Sequence, residues 1–289
     1  MNQQRDIDHA LTEIDENIHL FERTLKKRTD LPEVSASRVL ALSDGSNQDE
    51  SVLRLAELVA DRLGAELVRR ELGPGGGEAP LTDDRDRLPF EVLEQIDEQS
   101  IGLVVLPTPF LEDYPSLGAT SLGVVADVLL ARSPVPMIHV RQPLEDPRAV
   151  LESGVLVCLE ADPETRRAAA WLWRLVPGPL QVLVALASAE HHAILKFSRG
   201  EEQPVTLEDI GQKLGEQISP LLATMQERAR QEGRRVEGHA YPDELREVLV
   251  QESFPLCLVV VPGREDPDHT GPLARECVRY TRGPVLVVP

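Results

Sequence analysis

Few residues in this chain have the types and spacing to do chemistry. Asp44-Gly45-Ser46 places a carboxylate, a flexible backbone and a hydroxyl at the end of an apolar run, Val39-Leu40-Ala41-Leu42. At the carboxyl end of a parallel strand that trio suits contact with a small ligand, because open α/β sheets bind there. It suits a turn and helix cap equally well, since Asp and Ser accept from nearby N–H groups and Gly tolerates left-handed backbone. Thr120, Ser121 and Gly123 form a second set. Hydroxyls and free N–H groups ahead of a helix can hold an anion, although such residues more often only cap the helix. His191 and His192 are adjacent and so point apart, with no carboxylate or thiol at ligand spacing; no metal is expected. His239 and Asp243 offer an acid–base pair without a nucleophile beside it. Cys158, Cys257 and Cys277 are too few and too scattered for a disulfide framework. Two of them fall inside apolar runs, where a thiol serves as a small core residue. No catalytic residue is nominated, and the chain is not expected to be an enzyme.

The elements that must position these residues alternate in type. Ile7, Leu11, Ile14, Ile18, Phe21 and Leu25 recur at steps of three and four, which predicts an N-terminal helix over 1–35 with an apolar seam. The seam either docks on the chain or pairs with another. From residue 38 a strand, a helix ended by Gly64, and a second strand follow. A Gly/Pro/Asp-rich stretch then leads to a helix from Phe90 and a buried strand, Gly102-Leu103-Val104-Val105-Leu106. A helix from Ser121 and the strand Pro136–Val140 close this set. Residues 142–150 read as a linker. The order then repeats up to Val285-Leu286-Val287-Val288. Trp171 and Trp173 lie two apart on a predicted helix, so one is expected in the core and the other toward an interface. Strand and helix in alternation mean a parallel sheet with helices on both faces. Residues 126–140, ADVLLARSPVPMIHV, are echoed by 274–288, ARECVRYTRGPVLVV. This is an internal duplication.

Composition narrows the classes. A chain of 289 residues fits about two domains. Aromatics are 3% against 42% apolar overall, so the core must be aliphatic, as in parallel strands. A net charge of −19 argues against nucleic acid and against anionic membrane surfaces as partners. The first residues never become an apolar leader, and no stretch approaches a membrane span. A cytoplasmic location is the expectation.

VLALSDGSNQDESVLRLAELVADRLGAELV (39–68) resembles the opening of a universal stress protein domain. LGVVADVLLARSPVPMIHVR (122–141) and GPLARECVRYTRGPVLVVP (271–289) both resemble that family's closing helix and strand. The resemblance implies two tandem doubly wound parallel-sheet domains of the adenine-nucleotide-hydrolase-like kind, over 36–146 and 150–289. It implies that the first has a shortened middle, lacking a long helix and a third strand. It also implies that the two sheets pack together through their closing strands.

Nucleotide-binding members of the family carry Gly-x-x-Gly-x9-Gly-Ser/Thr after the fourth strand, and an Asp after the first strand meets the adenosine. Here Pro107, Thr108, Pro109 and Phe110 stand where the glycines should begin, and Val124 replaces the hydroxyl after Gly123. In the second half only Gly263 and Gly271 remain. Phe110 and Asp113 are expected to crowd or repel a triphosphate. The resemblance therefore implies a stress-response binding or regulatory protein without classical ATP binding and without an expected cofactor. The alternative is an ATP- or AMP-binding protein with weak ATPase activity, using Asp44, Gly45, Ser46, Thr120, Ser121 and Gly123 of the first domain. The partners expected are another protein or a second copy in a homodimer, with no nucleic acid and no membrane insertion. A separate membrane transporter or kinase, or a different small ligand, stays open.

Overall fold

The computed structural model describes residues 30–72, 87–111, 121–185, 207–241, 245–251, 254–266 and 269–289. The N-terminal helix, Thr120, Asp113, His191, His192 and Asp243 lie outside the described residues; residues 30–36 run irregularly into the first strand.

The run Val39–Leu42 forms the centre of β1 (Arg38–Ser43), where all four side chains are inaccessible. Parallel strands covered on both faces require such an unbroken aliphatic run. In α1 (Asp49–Leu63) the buried residues Val52, Leu55, Ala56 and Val59 recur at steps of three and four. The helix stops at Gly64, whose φ of 68° is left-handed. That turn lets the Ala65 N–H donate to the Ala60 carbonyl at 2.9 Å, a Schellman closure. β2 (Glu66–Glu71), α2 (Leu88–Glu98), β3 (Leu103–Pro107), α3 (Val124–Arg132) and β4 (Met137–Val140) complete the first half.

After a 3₁₀ turn at Ala149–Leu151 come β5 (Gly154–Cys158), α4 (Pro163–Leu175), β6 (Leu180–Ala185), α5 (Leu207–Glu232) and β7 (Val236–Tyr241). α6 (Leu245–Val250), β8 (Leu258–Pro262), a hairpin of β9 (Arg264–Asp266) and β10 (His269–Thr270), α7 (Pro272–Tyr280) and β11 (Val285–Val288) follow.

Nine of these strands make one sheet in the order β2-β1-β3-β4-β11-β8-β5-β6-β7. Neighbours are parallel except β4 and β11, which run antiparallel with Ile138 opposite Leu286. The closing strands thus join the halves edge to edge within a single sheet. The second half contributes five strands and the first four. The position missing among the described residues is the one beyond β2, where the sequence offers only its Gly/Pro/Asp-rich stretch.

The period of two along each strand divides the core into two layers. Val39, Val105, Leu156, Val182 and Leu286 face α1, α4 and α5. Leu40, Leu106, Val157, Val259 and Val287 face α2, α3, α6 and α7. Both layers run across the β4–β11 junction. Each such side chain contributes about 1.5–3 kcal/mol when fully buried. The junction is therefore held by the same apolar burial as each half.

Trp171 and Trp173 are both buried, which corrects the expectation that one reaches an interface. The end of α5 covers the second ring. Arg234 and Arg228 stack on Trp173 at 4.1 and 4.9 Å, and its Nε1–H donates to Glu232 at 3.3 Å. Arg234 also donates to the carbonyls of Trp173, Val176 and Gly178, and its burial lowers its pKa. Among the described residues no helix is long and apolar enough to cross a membrane.

Candidate functional site

In the first half the chain leaves β1 toward β2 on one side and returns to β3 on the other. The carboxyl ends of β1 and β3 therefore flank the switch point at which doubly wound sheets bind ligands. Asp44, Gly45 and Ser46 follow β1 there, as the sequence predicts.

Asp44 is almost fully buried. One carboxylate oxygen accepts the Ser46 N–H at 3.0 Å; the other accepts the Leu111 N–H at 2.7 Å. Leu111 has a φ of 59°, unfavourable for a leucine. Asp44 thus ties the turn after β1 to the turn after β3, across the switch point itself. The N–H groups of Asp44 and Gly45 are taken as well. They donate to the two oxygens of Asp49 at 3.2 and 2.8 Å, and the Ser46 hydroxyl lies 3.5 Å from Asp49. Burial raises the pKa of Asp49, opposed by those backbone bonds.

Phe110, expected to crowd a ligand, is fully buried in the layer that also contains Leu106 and Leu122. It packs into the core and does not project into solvent. Thr108 is buried beside it, its hydroxyl 2.8 Å from Nδ1 of His139 on β4. His139 is inaccessible, its Nε2 has no hydrogen-bond partner among the described residues, and burial lowers its pKa to about 3.

Ser121 and Gly123 stand ahead of α3, which starts at Val124 and not at Ser121. Gly123 is the N-cap, with a φ of 99° that requires glycine. The hydroxyl of Ser121 donates to Asp127 at 2.8 Å and accepts the Gly123 N–H at 3.1 Å. The Leu122 N–H donates to the same Asp127 oxygen at 3.2 Å. Asp127 therefore sets a carboxylate where a helix N-terminus favours an anion. Its other oxygen is 3.4 Å from Arg275 of α7, and Arg279 donates to the Ser121 carbonyl. Among the described residues no hydrogen bond joins Asp44 to Ser121. The two sets form separate clusters.

The corresponding ends of β5 and β8 in the second half are also closed. Asp162 caps α4 by accepting the Thr165 N–H at 2.5 Å. The Gly263 N–H donates to Val288 at 2.7 Å and its carbonyl accepts from Gly271 at 3.0 Å. A Cβ on Gly263 would lie 2.7 Å from Cγ1 of Val287, so glycine there serves packing against β11. Pro272 opens α7 and removes one of its terminal donors.

The other candidates stand elsewhere. His239 is half exposed on the edge strand β7, 3.9 Å from Glu237. The three thiols are buried, which pushes Cys257 up to about 12 and raises Cys158 and Cys277 as well. Among the described residues no group of His, Cys, Asp and Glu is placed to hold a metal ion. Sequence reasoning missed Asp49, Asp127, Arg275 and Leu111. For Asp49 and Asp127 the available signal was an acidic residue in the first turn of a predicted helix. Nothing local marks Arg275 or Leu111.

No protein-family model matches this chain, and no curated protein matches it in sequence. Two solved structures share its fold at a TM-score of 0.50. One is a protein of unknown function from Pseudomonas aeruginosa PAO1, 11% identical, with 88% of this chain and 92% of that one covered. The other, from Pseudomonas aeruginosa UCBPP-PA14, is provisionally named a universal stress protein; it is 12% identical, with 88% and 93% covered. A universal stress protein from Archaeoglobus fulgidus DSM 4304 aligns at a TM-score of 0.49 and 15% identity, with 87% and 98% covered. The chain thus has the α/β architecture of the first two structures over nearly their full length.

Proposed function

We propose that this chain is a tandem universal stress protein that acts as a binding or regulatory module and not as an enzyme, its nucleotide positions filled by its own side chains. The family and the two-domain division are supported by the sequence resemblance at 39–68, 122–141 and 271–289 and by the shared fold. The strand order supports them too, because β7-β6-β5-β8-β11 and β2-β1-β3-β4 follow one scheme with a single strand fewer in the first half.

One observation carries the functional reading. Backbone donors on both sides of the first switch point already serve the chain's carboxylates. Asp49 takes the N–H groups of Asp44 and Gly45; Asp44 takes those of Ser46 and Leu111; Asp127 takes that of Leu122 and the Ser121 hydroxyl. A triphosphate entering there meets like charge and must displace satisfied bonds, both unfavourable. The turn after β1 and the start of α3 then serve as fixed structure, and the protein acts through its surface on a protein partner or a second copy. The alternative, nucleotide binding by the first half alone, draws on Gly123, which keeps the positive φ that brings backbone close to a ligand.

Nucleotide release tests the choice. Purified full-length protein is denatured and the supernatant analysed by absorbance and mass. The proposal expects no adenine nucleotide. A stoichiometric amount of ATP or AMP would establish the alternative.

A further inference from the structure

The junction between the halves carries a pattern beyond ligand binding. In the alignment of 126–140 with 274–288, Ile138 is the counterpart of Leu286, and these two residues also lie directly opposite each other where β4 meets β11. Met137 pairs with Val287 and His139 with Val285. Each strand therefore meets its own repeat about a local two-fold axis through the Ile138–Leu286 pair. An interface of two identical halves would place the residue on the axis against its own copy and pair every other residue reciprocally about it.

The polar contacts beside the axis break that symmetry. Asp127 and Arg275 are counterparts in the same alignment, and they form the ion pair across the junction at 3.4 Å. Two first halves would instead bring Asp127 to Asp127, and two second halves Arg275 to Arg275. Arg279 donates to the Ser121 carbonyl, whereas its counterpart in the first half is Ala131, which has nothing to donate. Arg141 donates to the Arg279 carbonyl, whereas its counterpart in the second half is Pro289. Gln142 donates to the Arg282 carbonyl at 2.9 Å. Among these contacts the Asp127–Arg275 pair alone needs one residue from each half, because Arg279 and Arg141 donate to backbone carbonyls, which either half also offers to its own kind.

We infer that Asp127 and Arg275 make the β4 edge selective for the unlike half of the same fold, so that the chain closes this edge on itself and does not self-associate through it. Unpaired sheet edges recruit other chains, and like charges directly opposed are an established means of rejecting a wrong partner. Apolar burial at Ile138 and Leu286 supplies attraction without discrimination, because either half presents an aliphatic side chain at the axis. The charged pair beside it supplies the discrimination. The inference rests on the tandem reading of the two halves and is independent of whether a nucleotide binds.

A charge-swap cycle on the full chain tests it. Asp127→Arg and Arg275→Asp each place like charges across the junction, and each is expected to lower the thermal midpoint by about 3–6 °C. The double variant Asp127→Arg/Arg275→Asp restores opposite charges and is expected to melt above Asp127→Arg and to lose less than the sum of the two single losses. A double variant whose loss equals the sum of the two single losses would overturn the inference. Asp127→Asn separates the cap from the charge, since it keeps an acceptor for Ser121 and Leu122. It is expected to lose less than Asp127→Arg; an equal loss would leave only the cap and count against selectivity.

Cross-linking reads the pairing itself. Gln142→Cys with Arg282→Cys is expected to close a disulfide within one chain. Pro134 is the counterpart of Arg282, so Pro134→Cys with Gln142→Cys would cross-link two copies only where first half meets first half. A disulfide-linked dimer of that variant would contradict the inference; an uncross-linked monomer is expected.

Discussion

Replacing Asp44 by alanine separates a structural carboxylate from a ligand-binding one. The side chain is nearly inaccessible and accepts two backbone N–H groups, at 2.7 and 3.0 Å. Hydrogen bonds to a charged group are worth about 1.5–3 kcal/mol each, and a buried donor left without a partner costs more than the average bond gives. The Ser46 N–H lies in a turn that water can reach, so part of its loss is recovered. The Leu111 N–H bond also holds a leucine at a φ of 59°, so its loss releases a strained turn as well as a hydrogen bond. Asp44→Ala is expected to destabilise the protein by about 2–4 kcal/mol, and Asp44→Asn by roughly half as much because it keeps one acceptor. Urea unfolding followed by circular dichroism reads this as a lower midpoint at unchanged slope. A variant within about 0.5 kcal/mol of the parent would refute the brace and return Asp44 to the candidate ligand contacts.

Three further outcomes follow from the same geometry. Asp127→Ala removes the anion that the chain places at the start of α3, and is expected to cost about 1–2 kcal/mol in stability. It should also raise affinity for ATP above the parent's in calorimetric titration. Phe110→Ala empties a fully buried ring site and is expected to cost about 3–5 kcal/mol in the same urea assay. His139 predicts an acid-sensitive fold. Burial holds its pKa at about 3 in the folded chain, against about 6.5 when unfolded. The unfolded state therefore binds the extra proton first, so this contribution is complete above about pH 6.5 and is lost as pH falls toward 3. A His139→Phe variant should show a flatter stability profile across that window in unfolding measured at several pH values.

Much of the fold was legible because parallel strands buried on both faces declare themselves as unbroken aliphatic runs. Val39–Leu42, Leu103–Leu106, Leu258–Val261 and Val285–Val288 needed nothing else. The echo of 126–140 in 274–288 was legible as well, but no local signal says that β4 and β11 pair antiparallel in one sheet. That register depends on contacts between residues far apart in the chain. Of the candidate site, the sequence located Asp44, Gly45, Ser46, Ser121 and Gly123 at the ends of the right elements. It did not reveal that Asp44 faces the Leu111 N–H or that Asp127 turns back on Ser121, since both depend on how loops cross after folding. Trp173 was misjudged for a related reason. A two-residue offset on a helix implies two faces, and only the arrival of Arg228 from α5 and of Arg234 just beyond its end shows that the second face is covered.

Titration of the purified, nucleotide-free protein with ATP by isothermal calorimetry tests the central claim most directly. The account predicts no heat of binding, because Asp44, Asp49 and Asp127 hold negative charge at the first switch point and engage the N–H groups of Asp44, Gly45, Ser46, Leu111 and Leu122. Saturable binding in the micromolar range would contradict it and would mean that these carboxylates give way to a nucleotide.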